Sequence, residues 1–325
     1  MNFKNHIIGS AIITLVIVLL IIISFYNYLI FHAFVEGFSI AIAVAMFIIS
    51  WNTKKYSEHF GLASIGIAYL YVGTLDFLHV LAYQGMGVFS TDQYTTQLWI
   101  SARYIESISI LLAMILIGRK VKKSYNLILL VYFIITSTVI LSIFYYDIFP
   151  LCHIPGEGLT NFKIISEYII SAILVATIVI LLKKRKQIEK RIFNDMILAL
   201  VFTIIAELSF TFYVDMYEIS NLIGHLSKLA SFYFIYRSIV YTGLKNQLSI
   251  IHSQLAESEK NLRASFNNAV AGMVMLNTEG RPIFCNNKWL NLTQYEKKDM
   301  DKKKAKEERL RKAEAKKDLE MLAKE

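Results

Sequence analysis

Runs of about 20 apolar residues, separated by short polar gaps, recur from Ile7 to Tyr241, and few folds accommodate that pattern. A run of this length makes a helix that crosses the hydrocarbon core of a bilayer. The spans fall near Ile7–Tyr26, Leu29–Trp51, Phe60–Tyr83, Leu98–Ile117, Leu127–Phe149, Ile164–Leu182, Asn194–Val214 and Ile219–Tyr241, which predicts an all-α polytopic membrane protein with eight transmembrane helices. The gap between the first two is so short that they also read as one broken helix. Composition agrees: 55% of the 325 residues are hydrophobic and the mean hydropathy is +0.48, too apolar for a soluble domain.

The loop cations orient the spans, because lysine and arginine concentrate on the cytoplasmic side. Lys4 precedes the first span, Lys54 and Lys55 follow the second, Arg119 to Lys123 follow the fourth, and Lys183 to Arg191 follow the sixth. The alternate loops carry none, apart from Lys163 at the end of one. Both termini are therefore expected in the cytoplasm. The first span has a basic start but an apolar run too long for a cleaved signal, so it reads as an anchor. The net charge of +9 comes mostly from these loops and from a basic tail, so it does not argue for a nucleic-acid partner. Cys152 falls outside and Cys285 inside, which precludes a disulfide between them.

Ionisable residues within the spans are few and one-sided. His32 and Glu36 open the second span, Asp76 and His79 end the third, and Arg103 and Glu106 start the fourth. Glu167 opens the sixth, Glu207 lies late in the seventh, and His225 and Lys228 lie early in the eighth. Each such group costs about 2.5–3.5 kcal/mol to insert, so these residues are expected to face the bundle interior. Confined to the outer leaflet, they describe a pocket more readily than a pathway. The three- and four-residue spacings put His32 with Glu36, Asp76 with His79, Arg103 with Glu106 and His225 with Lys228 on common helix faces. Arg103 calls for an acidic partner, and Glu36, Asp76 and Glu106 are the candidates. A turn-rich loop, Asp147 to Thr160, brings Cys152 and His153 to the same side. Three readings stand: a metal or haem site drawn from His32, His79, Cys152, His153 and His225; an organic or anionic ligand held by Arg103 and Lys228; or a network that only holds the helices together. No ligand spacing selects among them.

Beyond the last span, Leu244, Leu248, Ile251, Leu255 and Leu262 mark a short heptad seam over residues 244–262, a signalling helix suited to a homodimer or to packing on its own domain. Met273–Leu276 and Arg281–Asn286 then flank an Asn277-Thr278-Glu279-Gly280 turn and read as a hairpin, with Asn286 capping a following helix. Leu262–Tyr295 resembles the opening of a PAS domain. From Glu296 the chain is almost entirely charged and predicts a solvated helix over 296–325, leaving a truncated PAS-like segment at 263–295.

No phosphate loop, zinc-protease helix, nucleophile elbow or phosphoacceptor histidine is present, which argues against an enzyme. The motifs Phe31-His32-Ala33-Phe34-Val35-Glu36, Asp76-Phe77-Leu78-His79, Trp99-Ile100-Ser101-Ala102-Arg103-Tyr104-Ile105-Glu106, Gly158-Leu159-Thr160-Asn161-Phe162-Lys163 with Ser166-Glu167-Tyr168, and Gly224-His225-Leu226-Ser227-Lys228 together resemble the third class of bacterial membrane-associated sensor domains. The resemblance implies a sensor over residues 1–243 in the bacterial inner membrane, normally placed ahead of PAS, histidine-kinase or diguanylate-cyclase modules. It implies a receptor for a small-molecule, metal or redox ligand, with an unknown cofactor, metal or haem included. A transporter, a membrane-embedded enzyme and a non-signalling remnant of a kinase or cyclase are the alternatives.

Overall fold

The computed structural model describes residues 3–55, 60–89, 91, 93–119, 124–154, 157–211, 219–278 and 282–293. The charged tail after Tyr295, the Glu279-Gly280 turn, Pro155-Gly156, Tyr213, the Asp215–Glu218 loop and the lysines at 120, 122 and 123 lie outside these residues. The helices are α1 Phe3–Tyr26, α2 Tyr28–Thr53, α3 Phe60–Ala82, α4 Gln93–Leu116, α5 Tyr125–Phe144, α6 Asn161–Lys183, α7 Lys190–Thr211, α8 Ile219–Asn268 and α9 Asn287–Thr293. Two hairpins interrupt them: β1 His153–Ile154 with β2 Gly158–Leu159, and β3 Val274–Leu276 with β4 Pro282–Cys285.

The molecule divides into two units, Met1–Gln247 and Leu248–Glu325. In the first, α2 to α7 are six helices long and apolar enough to cross a membrane. The first two predicted spans are separate helices. Asn27 leaves helical geometry at φ −152° and its side chain accepts the Ile30 amide, capping α2. Helix α5 stops at Phe144 rather than Phe149, where Asp147 turns left-handed at φ 49° and Pro150 follows. Helix α4 starts before Leu98, at Gln93.

Helix α3 is the hub of the first unit and packs on both α2 and α4. Its glycines allow the approach: a Cβ on Gly66 would overlap Ser50 and the Met46 carbonyl of α2, and one on Gly61 would overlap the Ala113 backbone of α4. Without a hydrophobic drive inside lipid, close backbone packing of this kind is a main source of helix association. Helix α5 keeps most of its face exposed, including Leu127, Leu130, Phe133 and Ile134, as a lipid-facing helix should.

In the second unit β3 and β4 pair antiparallel, with Val274 opposite Cys285 and Met275 opposite Phe284, as the turn signal predicts. The fully buried Asn286 organises the segment. Its Oδ1 accepts the amides of Met273 and Trp289, both at 2.9 Å, while its Nδ2 donates to the carbonyls of Phe266 and Ala271. The expected helix cap thus also ties the hairpin to the end of α8.

Candidate functional site

The ionisable residues picked out along the chain gather at one end of the first unit. Helices α2, α6 and α8 bring their first half there, α4 its middle with Arg103 and Glu106, and α3 and α7 the late turns that carry Asp76, His79 and Glu207. The antiparallel order of the helices does this: every second helix must place its start where its neighbour places its end. His32, Glu36, Asp76, His79, Arg103, Glu106, Glu167, Glu207, His225 and Lys228 are all buried.

Eight of them, with the phenol of Tyr69, form two joined networks. In the first, His225 Nδ1 lies 2.9 Å from Glu36 Oε1, and Lys228 Nζ donates to Glu36 Oε2 at 2.5 Å. Lys228 also reaches Asp76 Oδ2 at 3.0 Å. Arg103 donates from Nη2 to both oxygens of Asp76, at 2.7 and 2.9 Å, and from Nη1 to Glu106. Tyr69 closes the chain with a 2.5 Å bond to Glu106 Oε1. Positive and negative groups alternate across α8, α2, α3 and α4, which is how charges withstand removal from water. Arg103 therefore has two acidic partners, Asp76 and Glu106, while Glu36 serves α8. Trp99 lies beneath both cations, its ring 4.8 Å from Arg103 Cζ and 4.7 Å from Lys228 Nζ.

The second network is imidazole. His32 Nε2 and His79 Nε2 are 3.3 Å apart, and His79 Nδ1 is 2.8 Å from the Thr95 carbonyl oxygen. Tyr83 stacks on the His32 ring at 3.6 Å between centroids, and His225 meets that ring edge-on at 4.7 Å. A cavity of about 50 Å³ opens beside these rings, lined among others by His79, Tyr83, Trp99, His153, Lys163 and His225. It has room for a few waters or a small ion.

Glu167 lies apart from both. It pairs with Lys163 one turn earlier on α6, and Glu207 of α7 faces it. Along the chain Lys163 reads as a loop cation and not as a site residue, although its four-residue spacing to Glu167 is visible there. Neither oxygen of Glu207 meets a hydrogen-bond donor among the described residues. Among the described residues, the buried acidic side chains of this end are Glu36, Asp76, Glu106, Glu167 and Glu207, and its buried fixed cations are Arg103, Lys163 and Lys228.

The proposed metal ligands divide. His32 and His225, with Glu36, each offer a donor atom within 4.8 Å of the other two. His79 touches His32, and His153 reaches the cavity wall. Cys152 is in neither network: its buried thiol points to the Pro150 carbonyl at 3.6 Å. Burial pushes that thiol up to about 12, against the pull of Lys163, so it stays protonated and is a poor ligand at neutral pH. A larger apolar cavity, about 540 Å³ between α3, α4 and α5, touches none of the ion-paired residues.

At the opposite end, Asp195 of α7 and Arg237 of α8 pair at 2.6 Å. Glu189 accepts from Tyr241 and from Lys245, and these bonds hold its carboxyl below the usual range.

The profile of the MASE3 family, described as a membrane-associated sensor domain, matches residues 23–246, and that of a PAS domain matches residues 260–323. The second match continues past Tyr295 into the charged tail. Both families are sensory and neither is catalytic. No curated protein and no solved structure matches the chain.

Proposed function

The chain belongs to the family of MASE3 membrane-associated sensor domains and continues into a PAS domain, and on that premise we propose that its buried polar cluster is the receptor site of a bacterial inner-membrane sensor. One observation carries the reading: the ion chain from Tyr69 to His225 joins α8, the helix that leads to the PAS domain, to α2, α3 and α4. A ligand that rearranges this chain acts directly on α8.

We count α1 and α8 as spans beside the six long apolar helices, because the loop cations then alternate sides, with Lys163 at the start of α6 the one exception. That count puts both termini in the cytoplasm and the polar cluster in the extracytoplasmic leaflet, where an external ligand reaches it. The site residues are His32, Glu36, Asp76, His79, Arg103, Glu106, Glu167, His225 and Lys228. Leu248, Ile251, Leu255 and Leu262 are exposed along α8 in the single chain. An apolar seam of that kind suits a homodimer whose two α8 helices relay the change. A ligand shifts the relay only by favouring one of two packings.

The test joins a reporter kinase to the end of the full chain and compares basal output with that of Lys228→Met. Removing the cation that bridges Glu36 and Asp76 is expected to move output at least severalfold in either direction, with protein level and membrane insertion unchanged. Unaltered output in inserted Lys228→Met and Arg103→Met proteins overturns the reading.

A further inference from the structure

The imidazole network leaves one buried ring nitrogen, on His32, without a hydrogen-bond partner among the described residues. His79 Nδ1 faces a carbonyl oxygen, so in the neutral ring that nitrogen carries the proton and Nε2 is a lone pair. His32 Nε2, 3.3 Å away, then supplies the N–H between the two rings. The other nitrogen of His32, Nδ1, becomes a second lone pair, and it is buried with no partner among the described residues. His225 follows the same logic: its Nδ1–H points at Glu36, leaving Nε2 as an acceptor on a ring that borders the small cavity. The two rings thus meet edge to face at 4.7 Å between centroids, and His32, His225 and the Glu36 carboxylate each offer a donor atom within 4.8 Å of the others.

We propose that His32, Glu36 and His225 form a binding site for a divalent transition-metal cation of the zinc type, entering through the cavity lined by His79 and His153. The proposal rests on the receptor reading above and names its ligand. Two imidazoles and a carboxylate suit a borderline cation; magnesium and calcium prefer sets of oxygen donors. The remaining position is open to water from the cavity, which at about 50 Å³ has room for it. The donor atoms lie within 4.8 Å of one another, and metal bonds of about 2.0–2.1 Å require them to close in. Since His32 and Glu36 sit on α2 and His225 on α8, closure draws those helices together at this end. Lys228 keeps its contact with Asp76 and balances that carboxylate while Glu36 turns to the ion.

The experiment uses the full chain purified in nanodiscs, incubated with Zn²⁺, desalted and analysed for bound metal. Wild type is expected to retain about one equivalent of zinc and no magnesium or calcium. His32→Ala/His225→Ala is expected to retain none, while His153→Ala keeps the metal. A zinc-induced rise in the thermal midpoint of wild type, absent from Glu36→Gln, guards against loss by misfolding. Wild type that holds no zinc, or holds as much as the double variant, overturns the site. The reporter separates the two ideas. Zinc retained while Lys228→Met and Arg103→Met leave output unaltered keeps the site and removes the receptor reading; output altered by Lys228→Met with no zinc retained does the reverse.

Discussion

Arg103 shows how much a single side chain carries here. Its two terminal nitrogens satisfy Asp76 and Glu106, and its neighbour on Asp76 is Lys228. Arg103→Met leaves Glu106 with only the Tyr69 hydroxyl, and breaking a buried pair from one side costs about 3–5 kcal/mol. We expect a clear fall in the thermal midpoint of the purified protein and a smaller one for Arg103→Lys, which keeps the charge but loses the fork; equal midpoints for Arg103→Met and wild type would count against a stabilising chain. Local spacing makes part of this network readable. Arg103 and Glu106 are one turn apart, and so are His225 and Lys228, which both land on Glu36. The choice of Asp76 over Glu36 for Arg103 is not readable that way, because spacing along one helix says nothing about which neighbour it meets.

Among the elements, α2 and α3 show the tightest fit. Gly66 faces Ser50 and Met46, and Gly73 faces Ala43 one heptad further along. Gly66→Leu must force the two helices apart, at about 1–3 kcal/mol or more for overpacking. A Cβ on Gly37 would meet nothing within 4 Å, so Gly37→Ala is expected to be neutral or slightly stabilising. Thermal unfolding of the two variants checks the contrast, and comparable midpoints would contradict the packing. Apolar runs locate these helices well and their ends poorly. Polar Gln93–Gln97 belongs to α4, where two of its groups find partners across the bundle: the Thr95 carbonyl takes His79, and the Gln97 amide donates to Phe149. The seam after Leu244 and the eighth span are one helix of 50 residues, with no break where composition turns from apolar to polar.

For the whole molecule, topology sets which compartment the polar cluster samples. Alkaline phosphatase fused after Gly87 is expected to be active, and fused after Lys55 inactive, since the enzyme folds only outside the cytoplasm; the opposite pattern would invert the bundle and put the polar cluster on the inner side. Residue order alone establishes that the chain lives in a bilayer, which segments are apolar enough to cross it and at which helix ends the charges collect. Those are additive properties: each residue's transfer cost and each loop's charge count regardless of what lies beside them. Three-dimensional packing was needed to learn that Glu36 meets Lys228, 192 positions away, that His32 faces His79 and His225, and that Cys152 turns from them. Partnership is a property of pairs, and helices of equal apolarity pack in an order that glycine contacts and buried ion pairs select, not hydropathy.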